Sequence, residues 1–544
     1  MMKFRFLLAA VFGVASFLCV AHAQDDPFGS GQFEGAVYTQ TNDPTGNGVL
    51  AYGRRANGTL EFLGIFGTGG RGTGLAGSGF PFFDTGDGLD PMQSTNAVEL
   101  STDRQFLFVI NGASSSVSTF RIGRDLRPRL TSVTRVTGFG PNSITYRDGV
   151  VYVSSVDADG QFDGSLGEVG LFEAFRLTQR GRLVPIRGSV RRLSNRPGGI
   201  DVTPNGRFLV VTSLNAGSGG AGDGPSFADN LESVVIYGLA RNGMPSRSPL
   251  SSGISLPVDA TPGAPDPDVV RASTIALGLE TIEDDGRQFV VVTEARSVAF
   301  PNGFPTPPLT PGFPGEGVIP LFQPGGVSSW EILPDGELVL IDALPVNDNP
   351  DEIGLGTGQS ATCWVQFSAD GKTFWVVNTI DSSISAFRFN KGEIEIIAEV
   401  VAQGDGLGDA VPDEVTPPDL FPIELADAPA PRRVDGFARA TFKRAKFSYR
   451  DRRRRRPAPV GDGVDFDSFG GPQNPILNGT DAFLDFRISD DGKFIYQTLG
   501  LDRGILVYRV DEANEDGEVS GLTLIQEVLT PELPAFNIQG IEAF

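Results

Sequence analysis

Residues 98–122, VELSTDRQFLFVINGASSSVSTFRI, align without a gap against residues 365–389, VQFSADGKTFWVVNTIDSSISAFRF. Each copy reads as a strand, a Ser-x-Asp or Thr-Asp turn, a second strand ending in Asn, a polar turn, and a third strand ending aromatic-basic. Weaker copies stand at 199–214 (GIDVTPNGRFLVVTSL), 274–295 (TIALGLETIEDDGRQFVVVTEA) and 484–500 (LDFRISDDGKFIYQTLG). A unit of this size cannot bury its apolar faces alone, so the copies must stack.

Working outward, the remaining strands are short apolar runs bounded by Gly, Asn, Asp and Pro, with no amphipathic helix among them. Seventy glycines and thirty-nine prolines supply the turns. First strands fall near 97–101 (AVELS), 141–147 (PNSITYR), 198–204 (GGIDVTP), 273–279 (STIALGL), 362–368 (TCWVQFS) and 483–489 (FLDFRIS). A seventh, NIQGIEAF at 537–544, ends the chain without partners, while GAVYTQT at 35–41, VLAYGR at 49–54 and LEFLGIF at 60–66 supply second, third and fourth strands that lack a first. Joining the termini completes a blade and removes the open sheet edges. The expectation is all-β: a seven-bladed β-propeller closed by pairing the C-terminal strand with the N-terminal strands. A β-helix or a pair of sandwiches would leave the two terminal deficits unexplained.

The first 23 residues read as a secretory signal peptide. Lys3 and Arg5 form the basic region, Leu7 to Val20 the apolar stretch, and Ala21-His22-Ala23 the cleavage site. The apolar run is shorter than the roughly 20 residues a membrane-spanning helix needs. The expectation is a secreted, extracellular protein, residues 24–544 forming the propeller, with no membrane partner. Cleavage would remove His22 and Cys19 and leave Cys363 as the only thiol. A chain without histidine cannot run a Ser-His-Asp or Cys-His relay or build a His-ligated metal centre. One cysteine allows no intramolecular disulfide, so stability must come from a large core, with Cys363 buried in it.

Without Lys3 and Arg5 there are 42 basic against 67 acidic residues, a formal charge of −25. That balance argues against nucleic acid as a partner. The exception is 432–456, with twelve Lys/Arg against Asp435 and Asp451. It lies in the longest of three loop insertions, near 217–230, 301–326 and 405–480. The 432–456 stretch reads as a loop resting on the acidic body, as a dibasic processing site, or as a patch for an extracellular polyanion. The 301–326 insertion, rich in Pro and Gly, is expected to be irregular. Asn57 and Asn478 each open an Asn-Gly-Thr sequon, a glycosylation site in a eukaryotic host.

Several stretches carry a family resemblance: VYTQTND at 37–43, GTGGRGTG at 67–74, DPMQS at 90–94, LFVINGASSSVSTF at 107–120, VVTEA at 291–295 and QGIEAF at 539–544. In these the chain resembles the seven-bladed lactonase-type propellers, the group of 6-phosphogluconolactonases and carboxymuconate-lactonizing enzymes within the YVTN-repeat class. The resemblance implies a small lactone, sugar acid or muconate-type ligand in the central funnel, and no cofactor. The resemblance implies histidine there, which the chain would lack once His22 is cleaved off, so carboxylate–arginine chemistry is what remains.

Glu294 and Arg296, in TEAR after an apolar strand, are the candidate catalytic pair; the same residues also read as a solvated strand-end ion pair. Asp502 and Arg503 resemble a DLGxDR turn of the phosphogluconolactonase group and read equally as a blade-turn ion pair. Asp90, Gln93 and Asn111 are candidates for ligand binding, with turn capping as the alternative. Asp157, Asp159 and Glu168 match positions of a calcium loop, but Phe162 stands where glycine is required, so no metal is assigned. The GTGGRGTG run precedes no helix and lacks the P-loop ending. Two functions stand side by side: a monomeric lactonase-like propeller that binds or hydrolyses a small-molecule or carbohydrate ligand, and a non-enzymatic extracellular adhesion or interaction scaffold.

Overall fold

The sheet edges expected at the two termini meet each other. In the computed structural model, Gln539–Ala543 pairs antiparallel with Gly35–Gln40, which continues into Gly48–Arg54 and Leu60–Gly67. The structure describes residues 32–74, 92, 94–157, 170–214, 233–253, 270–299, 318–320, 325–346, 362–379, 382–403, 483–500, 504–511, 521–529 and 538–544. The signal segment, the 217–230 and 405–480 insertions and the basic stretch 432–456 lie outside these residues.

Six further antiparallel sheets follow in chain order. Blade 1 is Val98–Leu100, Phe106–Asn111, Ser116–Ile122 and Pro128–Arg135. Blade 2 is Phe139–Arg147, Val150–Asp157, Leu171–Leu177 and Leu183–Pro185, with Arg191–Arg192 also on its third strand. Blade 3 is Pro197–Val202, Phe208–Ser213, Val234–Gly238 and Ser251–Gly253. Blade 4 is Val270–Asp284, Arg287–Ala299, Gly326–Ile332 and Leu338–Pro345. Blade 5 is Thr362–Phe367, Thr373–Asn378, Ser383–Asn390 and Glu393–Gln403. Blade 6 is Phe483–Ile488, Phe494–Leu499, Gly504–Val510 and Leu522–Leu529, and the joined termini form blade 7. Within 301–326, Val318–Pro320 is regular after all: its β-branched pair Val318-Ile319 adds a short strand to the end of blade 4's second strand.

The repeat that decides the fold is built on one turn. Ser101 donates to Asp103 Oδ1 at 2.6 Å and accepts from the Phe106 N–H at 2.9 Å, closing the step from the first strand to the second. Ser368 with Asp370 (2.6 Å) and Ser489 with Asp491 (2.5 Å) repeat it, and Thr203 with Asn205 (2.9 Å) is the same device in other residues. Short polar side chains that bond their own backbone favour such turns over continued strand.

Each pair of neighbouring blades encloses its own apolar layer. Tyr38, Val49, Leu107 and Phe120 fill the space between blades 7 and 1, while Leu50, Tyr52, Tyr496 and Val507 fill that between blades 6 and 7. Cys363 is a buried free thiol in the layer between blades 5 and 6, among Trp375, Ile384 and Phe486. Both layers that flank blade 7 draw on the two chain ends, so closure is a packing event as well as a strand pairing.

Gly540 shows how tight that closure is. Its φ is +71°, and a Cβ there would lie 2.6 Å from the backbone nitrogen of Val98 in blade 1. Gly540→Ala is expected to cost about 2–3 kcal/mol, combining backbone strain with a contact that backbone cannot relieve. Urea denaturation of the two proteins measures it; an unchanged midpoint would show that the closing strand tolerates displacement.

Candidate functional site

The first strands of the blades line the central axis, and one register position brings ionisable groups to it from five of them. Two residues before the Ser/Thr turn residue stand Glu99 (blade 1), Asp201 (blade 3), Gln366 (blade 5) and Arg487 (blade 6), with Thr145 (blade 2), Glu280 (blade 4) and Glu542 (blade 7) at the equivalent places. The register agrees: they sit opposite Phe108, Tyr152, Val210, Val291, Trp375, Tyr496 and Tyr38. Four carboxyls thus surround one guanidinium.

Their oxygens brace neighbouring blades. Glu99 Oε1 accepts the Tyr146 N–H at 3.1 Å, Asp201 Oδ2 the Thr281 N–H at 3.0 Å, and Glu280 Oε2 the Phe367 N–H at 2.7 Å. Asp201 also accepts the hydroxyls of Thr145 and Thr281 at 3.2 and 2.7 Å. Arg487 Nη2 lies 3.4 Å from Glu542 Oε1. Glu542 and Glu99 meet in a hydrogen bond, so one of the two carries the proton between them. One layer nearer the start of these strands, Asp485 Oδ2 accepts the Gly540 N–H at 2.7 Å and ties blade 6 to the closing strand.

Crowding four carboxyls together, with much of each withdrawn from water, raises their proton affinity. Burial pushes Glu280 up to about 7, the Arg487 charge holding it lower than burial alone would. Burial likewise takes Glu542 to about 7, opposed by Arg487. Glu99 is raised by burial and then by the Glu542 charge, and Asp201 by burial against its hydrogen bonds. Arg487 is held protonated by Glu542, Glu99, Glu280 and Asp201 against the penalty of burial. Among the described residues the one hydrogen bond given for the Glu280 carboxyl is that of Oε2 with the Phe367 N–H. Glu99, Asp201, Glu280 and Arg487 are only part-buried, so water reaches the ring. No group of three or more His, Cys, Asp or Glu is placed to hold a metal ion among the described residues.

Above the ring, toward the start of the inner strands, the axis is filled. The indole N–H of Trp364 in blade 5 donates 3.0 Å to the Ser94 carbonyl, on the segment leading into blade 1. Blade 1 is three blades away from blade 5 around the ring, so this bond crosses the axis. Met92 is held from blade 7, its N–H by Gln539 Oε1 at 3.2 Å and its sulfur by Gln40 Nε2 at 3.3 Å. Met92, Ser94, Thr95 and Trp364 are all buried. Trp364→Phe, which keeps the ring and loses the donor, is expected to cost about 1–2 kcal/mol in a denaturation experiment.

Of the residues singled out from sequence, Glu294 and Asn111 sit away from this ring. Glu294 is fully buried in the second strand of blade 4, accepting the Ser328 hydroxyl at 2.8 Å, and Ser328 in turn accepts the Trp330 indole N–H at 3.0 Å. Asn111 is fully buried too: its amide donates to Ser118 Oγ at 2.8 Å and its oxygen accepts from Asn47 at 3.1 Å. Asn378, its counterpart in the second long repeat, does the same with Ser385 at 2.8 Å. The recurring strand-end Asn is thus a buttress to the third strand. A Cβ on Gly70 would fall 2.3 Å from the Asn111 side chain, so this part of the glycine-rich run is small because that buttress lies beneath it. Asn57 is exposed, with its side chain turned back onto Thr59. Asp90, Gln93, Asp159, Glu168, Asn478, Asp502 and Arg503, and the side chains of Asp157 and Arg296, lie outside the described residues.

Sequence comparisons find nothing: no family model matches the chain, and no curated protein does. Solved structures are similar in fold. A 6-phosphogluconolactonase-like protein of Bacteroides fragilis shares 11% identity over 94% of this chain and 98% of its own, at a TM-score of 0.48. The periplasmic gluconolactonase of Pseudomonas aeruginosa shares 12% over 94% and 98%, at 0.49. A hypothetical selenium-binding protein of Sulfolobus tokodaii shares 11% over 95% and 96%, also at 0.49. These proteins carry different names on one architecture, so the likeness speaks to fold and not to chemistry. The chain is a seven-bladed β-propeller similar in fold to these lactonase-named proteins.

Proposed function

We propose that this propeller binds and hydrolyses a small uncharged lactone of the sugar type, with the carboxylate–arginine ring as its working centre. The observation that carries the reading is the meeting of one guanidinium with four carboxyls on the axis, two of them poised at about 7. Titratable groups shifted toward neutrality beside a fixed cation are what acid–base chemistry requires.

The charge of the ring selects among the ligands. With more carboxyls than guanidinium groups, the ring repels an anion once it ionises, which disfavours a muconate or a sugar acid as the resting ligand. A neutral lactone offers hydroxyls to the carboxylates and a carbonyl to Arg487. In this reading Glu280 takes a proton from water as the new C–O bond forms, and Arg487 stabilises the oxyanion. The ring C–O bond then breaks, and its oxygen takes the proton held between Glu99 and Glu542. Glu280 returns its proton to solvent, the pair is reprotonated, and the acid product ionises and is repelled.

The test is hydrolysis of a panel of sugar lactones with spontaneous opening subtracted, using the wild type, Glu280→Gln and Glu294→Gln. Loss of about 10²–10⁴-fold in rate is expected for Glu280→Gln. Glu294→Gln should retain turnover, because Glu294 lies off the axis. A second reading, the extracellular scaffold, is favoured by the Trp364–Ser94 bond that fills the axis above the ring. Absence of turnover on every lactone would overturn the hydrolytic reading in its favour.

A further inference from the structure

On the turn-bearing face around blade 3 lies an open groove of about 860 Å³, distinct from the central ring. It runs from blade 2, across the Leu239–Ser246 turn of blade 3, to Pro334 and Asp335 of blade 4. Three arginines line it, Arg191, Arg207 and Arg247, against the one carboxylate of Asp335. On a chain of formal charge −23 that local excess of cations stands out.

The three arginines have different tasks. Arg191 is consumed by structure: its guanidinium donates to the carbonyls of Gly188 and Val190 at 2.8 Å and to those of Pro245 and Ser246, fixing the blade 3 turn as one wall. Arg207 donates through Nη2 to the Pro334 carbonyl at 2.7 Å and packs 5.4 Å over the Phe208 ring, which orients it and leaves its other N–H groups for the groove. Arg247 is exposed and makes no hydrogen bond or ion pair among the described residues. Beside them Leu250 is 46% exposed, a large apolar side chain at the rim.

We propose that this groove is a binding site for a short acidic saccharide, one or two sugar rings bearing a carboxylate. Arg247 and Arg207 receive the carboxylate, whose planar geometry the guanidinium fork matches. Leu250 takes the apolar face of a sugar ring. The Ser246 hydroxyl donates to the Ser248 carbonyl and accepts the Gly238 N–H at 3.1 Å, which leaves one lone pair for a sugar hydroxyl. The volume falls in the range of small-ligand sites. Charge also limits the size of the ligand: the field of the surrounding acidic surface reaches about 8 Å at physiological salt, so a long acidic peptide would meet repulsion past the groove.

Isothermal titration with digalacturonate tests the proposal, with the neutral disaccharide lactose, inorganic sulfate and hexaglutamate as parallel arms. Expected are saturable binding of digalacturonate alone, at least tenfold weakening by Arg247→Ala, and partial retention by Arg247→Lys. Arg129→Ala, removing an exposed arginine on blade 1, should change nothing. Since Arg247 holds no structural contact, its loss leaves the fold intact, which circular dichroism checks. Equal binding of lactose, equal binding of sulfate, tighter binding of hexaglutamate, or no binding of digalacturonate would each overturn it.

Discussion

A chain from which residues 538–544 have been removed is expected to lose cooperative unfolding, or to unfold tens of degrees below the full chain. Those residues carry Ile538, Ile541 and Phe544, each buried, in the apolar layers on both sides of blade 7. At about 1.5–3 kcal/mol per buried side chain their loss removes about 5–9 kcal/mol, comparable to the whole stability of a typical domain. The polar ties go with them. Arg54 Nε donates to the Phe544 carbonyl at 2.9 Å, Asp485 accepts the Gly540 N–H, and the Gly35–Gln40 strand is left with an open edge at the axis. Adding back a peptide of the deleted sequence should restore part of the transition, as expected for a missing strand rather than a misfolded chain. Differential scanning calorimetry with and without the peptide decides it; an unchanged transition in the shortened chain would show that six blades and an open seventh suffice.

The closure was legible in the sequence because it rests on counting: one inner strand too many at the C-terminus and one too few at the N-terminus. The ring on the axis was harder to see. Its members share a register position and no residue type, Glu99 in VELS, Asp201 in IDVT, Gln366 in VQFS and Arg487 in FRIS. Taken singly, each looks like the polar alternate of a half-exposed strand. Stacking the repeats on their Ser/Thr turn, two residues downstream, would have collected them in one column. Glu294 misled in the opposite sense. A carboxylate at a strand end suggests solvent or a funnel, yet the Ser328 hydroxyl lets blade 4 bury it. The recurrence of Asn111 and Asn378 was visible, but that each spends its amide on third-strand serines follows only from packing.

Replacing Arg487 by methionine should produce the largest single-residue loss outside the closing strand, and one that depends on pH. Four carboxyls depend on this guanidinium, which approaches Glu542 to 3.4 Å. Removing one partner of a fully buried ionic cluster costs about 3–5 kcal/mol where the other charges stay ionised, and the partial exposure of Arg487 places it at the lower end of that range. Glu280 and Glu542 have folded values raised to about 7, above their unfolded values. The folded state therefore binds more protons than the unfolded state from about pH 4.5 upward, and stability falls as pH rises through that window to about 7. At the acid end, Asp370, Asp491 and Glu331 are held below their ordinary range, so their contribution is lost as pH falls through their folded values. The wild type should be most stable near pH 5. Without Arg487 the carboxyls rise further, so the same slope steepens and extends above pH 7. Urea denaturation at pH 5 and pH 8 should show a loss of about 1–2 kcal/mol for Arg487→Met at the lower pH and the full cost at the higher. An equal loss at both, or a wild type that gains stability between pH 5 and 8, would mean that the ring does not hold its protons as this geometry requires.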